Sequence, residues 1–214
     1  MVGVAIVTAR KNSLRLKRKN RLIIKNQNLV DRSLKFAEKL KYIKHIILTT
    51  DDSFFINRNY KSSIIKINRP TYLAKKNSTS FATVKHALNL IKNKMNIKAD
   101  FVLLLQPTSP FRKKIFIDSA YKKFRKFKGK YSVVSISKTK NKNKQNLDIV
   151  DGKINFTKKN NFQFNGNFYF AGVKFLMRYK SFFKNNFSLP YILNSKFSID
   201  IDSKKDYLLA KKLS

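Results

Sequence analysis

The sequence predicts an α/β fold with a mostly parallel sheet covered by helices on both faces. Short runs of small and β-branched apolar residues recur at 2–8, 45–49, 64–67, 101–105 and 131–137. The segments between several of them carry apolar residues at helical spacing, the alternation expected of parallel strands with helical crossovers. With 214 residues, 43% of them hydrophobic, the chain can bury one well-packed domain.

The first run, 2–8, empties into a basic loop at 9–20, ARKNSLRLKRKN. A short apolar segment at 22–24 follows. A helix starts within 28–31 and carries Leu34, Ala37 and Leu40 on one face. The strand at 45–49 ends at Asp51-Asp52, a short helix spans 53–58, and the strand at 64–67 stops at Arg69-Pro70. After a polar stretch at 72–79, Ser78 or Ser80 caps a helix presenting Phe81, Val84, Ala87, Leu88 and Ile91. The strand at 101–105 is the most continuously apolar, which places it at the centre of the sheet. Gln106-Pro107-Thr108-Ser109-Pro110 ends it, and a helix through Phe116, Ala120 and Phe124 leads to the strand at 131–137.

From there the alternation breaks. A basic run at 138–144 reads as mobile, and 148–156 reads as a hairpin turning at Asp151-Gly152. A strand-like piece at 165–170, a helix at 173–183, a late strand at 189–193, an extended segment at 198–202 and a terminal helix at 204–213 complete the chain. The reading is one domain over 1–214 with a small β excursion at about 138–165.

There is no cysteine, which excludes disulfides and thiolate metal sites and fits a reducing cytoplasm. No apolar run approaches a membrane span, and the first residues do not read as a signal peptide. The net charge of +37 admits an anionic partner such as nucleic acid. However, lysine and asparagine recur on nearly every expected exposed face, so the charge reads as compositional drift. No zinc-finger, helix-turn-helix or RNP-like pattern accompanies it, and no specific nucleic-acid partner is expected.

Several constellations could carry chemistry. The loop after the first strand opens at the sheet edge where ligands bind in open α/β folds. Its Arg10 and Lys19 offer charge, Asn12 and Asn20 offer amides, and Ser13 offers a hydroxyl, the donors a triphosphate needs. It has no glycine, so it is neither a Walker A loop nor a dinucleotide fingerprint. In Asp200-Ile201-Asp202, alternation places both carboxylates on one side of an extended segment, where a divalent cation could sit between them. Asp202 could instead cap the last helix, as could Ser203. The proline-framed turn holds Gln106 and Arg112 at the ligand edge, and Arg69 ends a strand there. Asp51-Asp52 serves equally well as a helix cap. His45 and His86, the only histidines, have no partner at metal-ligand spacing and read as structural.

Taken in order, these residues resemble the cytidylyltransferase family that includes CMP-sialic acid synthetase (N-acylneuraminate cytidylyltransferase). Ala9-Arg10 with Ser13 and Lys19-Asn20 resembles its nucleotide loop, and Thr49-Thr50-Asp51 its S-T-D strand end. Arg69-Pro70 with Leu73-Ala74 and His86-Ala87-Leu88 resembles its R-P-x-x-L-A…H-A-L segment. LLLQPTSPFR at 103–112 is similar to its most specific motif, Asn165-Gly166 with Tyr169 to N-G-x-x-Y, and Ser198–Asp202 with Asp206 to its terminal S-I-D-I-D…D. The resemblance implies a Rossmann-like nucleotidyltransferase fold, usually a homodimer. It implies an enzyme that couples CTP to the anomeric hydroxyl of a nonulosonic acid of sialic, legionaminic or pseudaminic type, releasing pyrophosphate. It further implies that Arg10, Ser13 and Lys19 hold the phosphates, that Asn20, Arg69 and Ser80 contact cytidine and that Gln106 touches the sugar. Asp200 and Asp202 would hold Mg²⁺, with Arg10, Lys19 and Asp202 catalytic.

There are departures from the family pattern. Leu14-Arg15-Leu16 stands where the family usually has glycine, Lys76-Asn77 replaces a frequent Asp-Thr, and Gln163-Phe164 stands where sialic acid enzymes often have Arg-Pro. A Kdo-type cytidylyltransferase is the alternative within the class, and a basic nucleic-acid-binding protein the alternative outside it.

Overall fold

The computed structural model describes residues 1–13, 15–139, 147–157 and 161–214, and it opens with strand β1, Gly3–Ala9. The basic loop ends in a 3-10 turn at Lys19–Arg21, and β2, Ile23–Ile24, pairs with β3, Gln27–Asn28. The Asn28 side chain accepts a hydrogen bond from the Asp31 N–H and so starts helix α1, Leu29–Glu38. Strand β4, Ile43–Thr50, helix α2, Ser53–Ile56, and strand β5, Ile64–Asn68, follow. Helix α3, Ser80–Met95, leads to β6, Phe101–Leu105, and α4, Lys114–Lys126, to β7, Ser132–Lys138. The hairpin of β8, Leu147–Val150, and β9, Lys153–Phe156, precedes the long strand β10, Phe162–Gly172. Helix α5, Val173–Tyr179, strand β11, Ser188–Ile192, and helix α6, Lys204–Lys212, close the chain.

The main sheet runs β11-β7-β10-β6-β1-β4-β5, with the β8–β9 hairpin attached to β10. Strand β6 is central, as its unbroken apolar run requires, and all five of its residues are buried. Strands β6, β1, β4 and β5 are mutually parallel, and β11 is parallel to β7. Strand β10 lies antiparallel between β6 and β7, so those two also run the same way. All the parallel strands therefore end on one edge, and β10 starts there.

Side chains alternating along the strands feed two cores. Ala5, Val7, Leu103 and Leu105 pack with α1 and α4 on one face. Val4, Ile6, Val102 and Leu104 pack with α3, α5 and the hairpin on the other. A small third cluster joins Ile24, Leu29, Phe111, Ile201 and Ala210.

Three elements differ from the sequence reading. The cap of α3 is Thr79, whose hydroxyl accepts from the Ala82 N–H at 3.1 Å, while Ser78 donates to the Tyr72 carbonyl and Ser80 is the first helical residue. The β-branched Thr79 takes the extended cap conformation readily. Helix α5 stops at Tyr179 because Lys180 turns left-handed, with φ 51°. The strand expected at 165–170 is the middle of β10, whose pairing with β7 shifts register between Phe164 and Tyr169. Most of the basic run at 138–144 lies outside the described residues.

The register shift is a bulge. The Ser109 hydroxyl donates to the Asn165 carbonyl at 2.8 Å, and Gly166 adopts φ +70° with its Cα facing Gln106. A Cβ there would lie 2.4 Å from Gln106 Oε1. Gly166→Ala is therefore expected to destabilise the fold by about 1–2 kcal/mol from backbone strain alone, measured by urea unfolding. Asp52 is buried, caps α2 and receives two hydrogen bonds from the Arg21 guanidinium. Asp52→Ala is expected to cost about 3 kcal/mol in the same measurement, from a lost cap and lost charge-assisted bonds.

Candidate active site

The chain ends of the parallel strands surround a cavity of about 290 Å³. Arg10 follows β1, Arg69 follows β5 and Gln106 follows β6, and Ser80 opens α3. Lys19 and Asn20 reach the cavity from the basic loop, and Asp200 and Asp202 from the late segment before α6. Eight of the nine residues to which the family resemblance gave a role thus line one cavity, and Asn12 and Arg112 are not among its lining residues. Ser13 is buried in the same loop and is not among the described residues lining it.

The loop is held without glycine. Arg18 takes the left-handed conformation, with φ 51°, where the turn needs it. The Asn20 amide donates to the Arg10 carbonyl at 2.9 Å, closing the loop on itself. Asp51 accepts from the Lys11 N–H at 2.7 Å, and Arg21 pairs with Asp52, so the end of β4 anchors both flanks. Arg69 is buried and donates to the Thr49 carbonyl at 2.7 Å. Burial, with a smaller contribution from Arg10 and against the pull of Asp51, brings its pKa down to about 10, so it stays cationic at neutral pH.

The late segment is fixed by the residue between its carboxylates. Ile201 is fully buried in the third cluster, and its N–H donates to the Thr108 carbonyl at 2.8 Å. Asp202 pairs with Lys19 at 2.8 Å and with Arg15 at 2.7 Å. It is not the helix cap. Ser203 caps α6 in a reciprocal box with Asp206, which leaves Asp202 to the loop. Burial pushes the Asp200 carboxyl up, opposed by a hydrogen bond from the Thr108 side chain and reinforced by the Asp202 charge. Asp200 Oδ1 is buried with no hydrogen-bond partner among the described residues.

A second cavity, of about 1170 Å³, opens beyond the carboxylates, and Asp200 and Asp202 line both spaces. The ends of β7 and β11 and the start of β10 supply its other walls, with Lys138, Gln163 and Ile192 among them. Among the described residues no cluster of three or more acidic, histidine or cysteine side chains could enclose a metal. A divalent cation at Asp200 and Asp202 would take its remaining ligands from a substrate's oxygens, which suits Mg²⁺. The unpaired, buried Asp200 oxygen is the observation that fits such an ion.

Sequence reasoning missed three residues and misplaced a fourth. Arg15 shares Asp202 with Lys19, and Thr108 binds the late segment through its backbone and side chain. Asn167 donates to the Phe111 and Phe197 carbonyls, both at 2.7 Å, joining the proline turn to the late segment. Its only sequence signal is its place inside the bulge. Arg112 was expected at the ligand edge but turns inward. It donates to the Gln106 and Asn167 carbonyls and to Ser33, and burial pulls its pKa down to about 9. It supports the backbone under Gln106 because three acceptors there match its forked donors. His45 and His86 line neither cavity.

Residues 4–209 match the family model described as Cytidylyltransferase. The chain is 33% identical to a CMP-N,N'-diacetyllegionaminic acid synthase of Legionella pneumophila, over 98% of this chain and 95% of that protein. It is 29% identical to an N-acylneuraminate cytidylyltransferase of Escherichia coli, over 97% of this chain, and it spans about half (51%) of that relative's length. Among solved structures, a CMP:2-keto-3-deoxy-manno-octonic acid synthetase complexed with CTP superposes with a TM-score of 0.74 at 12% identity, covering 99% of this chain and 100% of that one. That likeness speaks for the fold. With the family model spanning nearly all of the chain and the motif residues gathered at one sheet edge, this protein belongs to the cytidylyltransferase family.

Proposed function

We propose that the protein transfers CMP from CTP to the anomeric hydroxyl of a nonulosonic acid, of the sialic, legionaminic or pseudaminic type. The observation that carries the proposal is the pair of cavities meeting at Asp200 and Asp202. A nucleotide in the smaller space and an acid sugar in the larger one would face each other across those carboxylates. The relatives' names supply the substrate class.

The sugar hydroxyl oxygen attacks the α-phosphorus in line. The new P–O bond forms as the bond to the β-phosphate oxygen breaks, pyrophosphate leaves, and the hydroxyl proton departs to a base or solvent. Arg10 and Lys19 would offset charge on the triphosphate, and Lys19 would exchange Asp202 for a phosphate oxygen. Asn20, Arg69 and Ser80 would contact cytidine. Ser13, buried in the loop, would support it from beneath. Gln106, pressed against Gly166, would orient the sugar. Mg²⁺ held by Asp200 and Asp202 would add positive charge at the α-phosphate and the leaving group. Assembly as a homodimer belongs to the same proposal.

A pyrophosphate-release assay tests it. Release is expected with CTP, Mg²⁺ and a nonulosonic acid together. Asp202→Ala should lower the rate at least about 100-fold with the thermal unfolding midpoint little changed. Equal release with ATP or GTP in place of CTP would contradict the cytidine assignment.

A further inference from the structure

One wall of the larger cavity holds two polar groups that the fold does not use. Ser137 is 3% exposed and Asn165 1%, and both line the cavity. Neither Ser137 Oγ nor Asn165 Nδ2 has a hydrogen-bond partner among the described residues. Ser135 and Ser137 alternate onto the same face of β7, and the Ser135 hydroxyl donates to Asn165 Oδ1 at 2.7 Å. The two unused groups therefore belong to one side of the sheet. Across the strand pair, Ser137 lies opposite Gln163, and the bulge in β10 begins just beyond, after Phe164.

Asn165 is held at its other polar atoms. Its backbone carbonyl accepts from the Ser109 hydroxyl at 2.8 Å, and its Oδ1 also accepts from the Asn167 N–H at 3.2 Å. A backbone N–H can only donate, so the amide oxygen has to face it, and the NH₂ is the end left over. The charges of this cavity are already matched. Arg15, Lys138 and Lys196 stand against Asp200, Asp202 and Asp206. Arg15 binds Asp202, and Asp206 completes the cap of α6. Neutral donors are thus what this wall offers a ligand. A hydroxyl and an amide NH₂ without acceptors suit an sp² oxygen, whose two lone pairs can receive both.

We infer that Ser137, together with Asn165, positions the acceptor by donating to one of its sp² oxygens, either a carboxylate oxygen or an acyl carbonyl. This rests on the transferase reading given above. Ser137 is fixed by β7 and Asn165 by Ser109, Ser135 and Asn167, so both donors are in place before the acceptor arrives. An acceptor without that oxygen leaves both buried donors unpaired, and the site discriminates against it. Neither residue lines the nucleotide cavity, so the pair acts on the acceptor and not on CTP.

The test measures pyrophosphate release by the full chain with CTP, Mg²⁺ and an N-acylated nonulosonic acid. Ser137→Ala should raise the KM for the acid at least about fivefold while the KM for CTP changes less than about twofold. Its thermal unfolding midpoint should stay level or rise, because the substitution removes a buried hydroxyl that has no partner. Asn165→Asp keeps the oxygen that accepts from Ser135 and Asn167 and replaces the NH₂ by an oxygen. It should raise the KM for the acid at least about tenfold. An unchanged acceptor KM in Ser137→Ala overturns the inference, whether or not Asn165→Asp folds. So does a rise in the KM for CTP by the same factor, or a lower unfolding midpoint without a change in acceptor KM, which would mark a structural hydroxyl. The same acid with its amino groups unacylated separates the two sources of the oxygen. If the Ser137→Ala penalty vanishes with it, the acyl carbonyl is the group held, and if the penalty persists, the carboxylate is. Absence of release by the unaltered chain overturns the transferase reading, and this inference with it.

Discussion

The Lys19–Asp202 ion pair, 2.8 Å long, ties together residues 183 positions apart and closes the site between the two ends of the chain. Lys19 sits in the loop after the first strand, and Asp202 in the last segment before the terminal helix. Arg15 binds the same carboxylate from the loop's other limb. The pair lies at the boundary of the two cavities, partly screened from water, where its attraction counts for more than at an open surface. Around it the backbone is fixed independently. Ile201 is buried below, Thr108 accepts its N–H, and Asn167 joins the carbonyls of Phe111 and Phe197. The carboxylates are thus placed by packing and by backbone hydrogen bonds, and the loop is drawn to them by charge.

The wider charge balance makes this arrangement more telling. The chain has 48 basic residues and 11 acidic ones. Acids so scarce are found where they hold structure. Asp31 binds Arg58 and the Tyr60 hydroxyl, Asp52 binds Arg21 and caps α2, and Asp206 completes the cap of α6. Asp118 and Asp200 each have one buried oxygen with no hydrogen-bond partner among the described residues, and of the two only Asp200 lines the cavities. A buried carboxylate oxygen left without a partner is costly, and a substrate-borne cation is the proposed occupant that would offset the cost.

Much of this was legible in the sequence, and the reasons are physical. Fully buried strands read as continuous apolar runs, so β6 was both located and placed at the centre. Alternation around Ile201 correctly put Asp200 and Asp202 on the opposite side from a buried residue. Order along the chain singled out the basic loop after β1, whose Arg10, Lys19 and Asn20 do line the cavity despite the missing glycine, and Arg18 shows how the turn is made without one. Other features were not legible because they depend on distant partners. Nothing near Arg112 says that its guanidinium turns inward to three acceptors. The choice of Ser203 over Asp202 as a cap becomes visible only with Asp206 folded back on it. The second cavity is assembled from β7, β10, β11 and α6, elements that local pattern cannot bring together.

The central claim is that the amino-terminal loop and the late carboxylates act as one site. A crystal structure with CTP and Mg²⁺ tests it most directly. The account predicts the triphosphate between Arg10 and Lys19 and a Mg²⁺ ion bridging its oxygens to Asp200 and Asp202. A nucleotide bound with its phosphates away from Lys19, or a metal ion with neither carboxylate among its ligands, would contradict it.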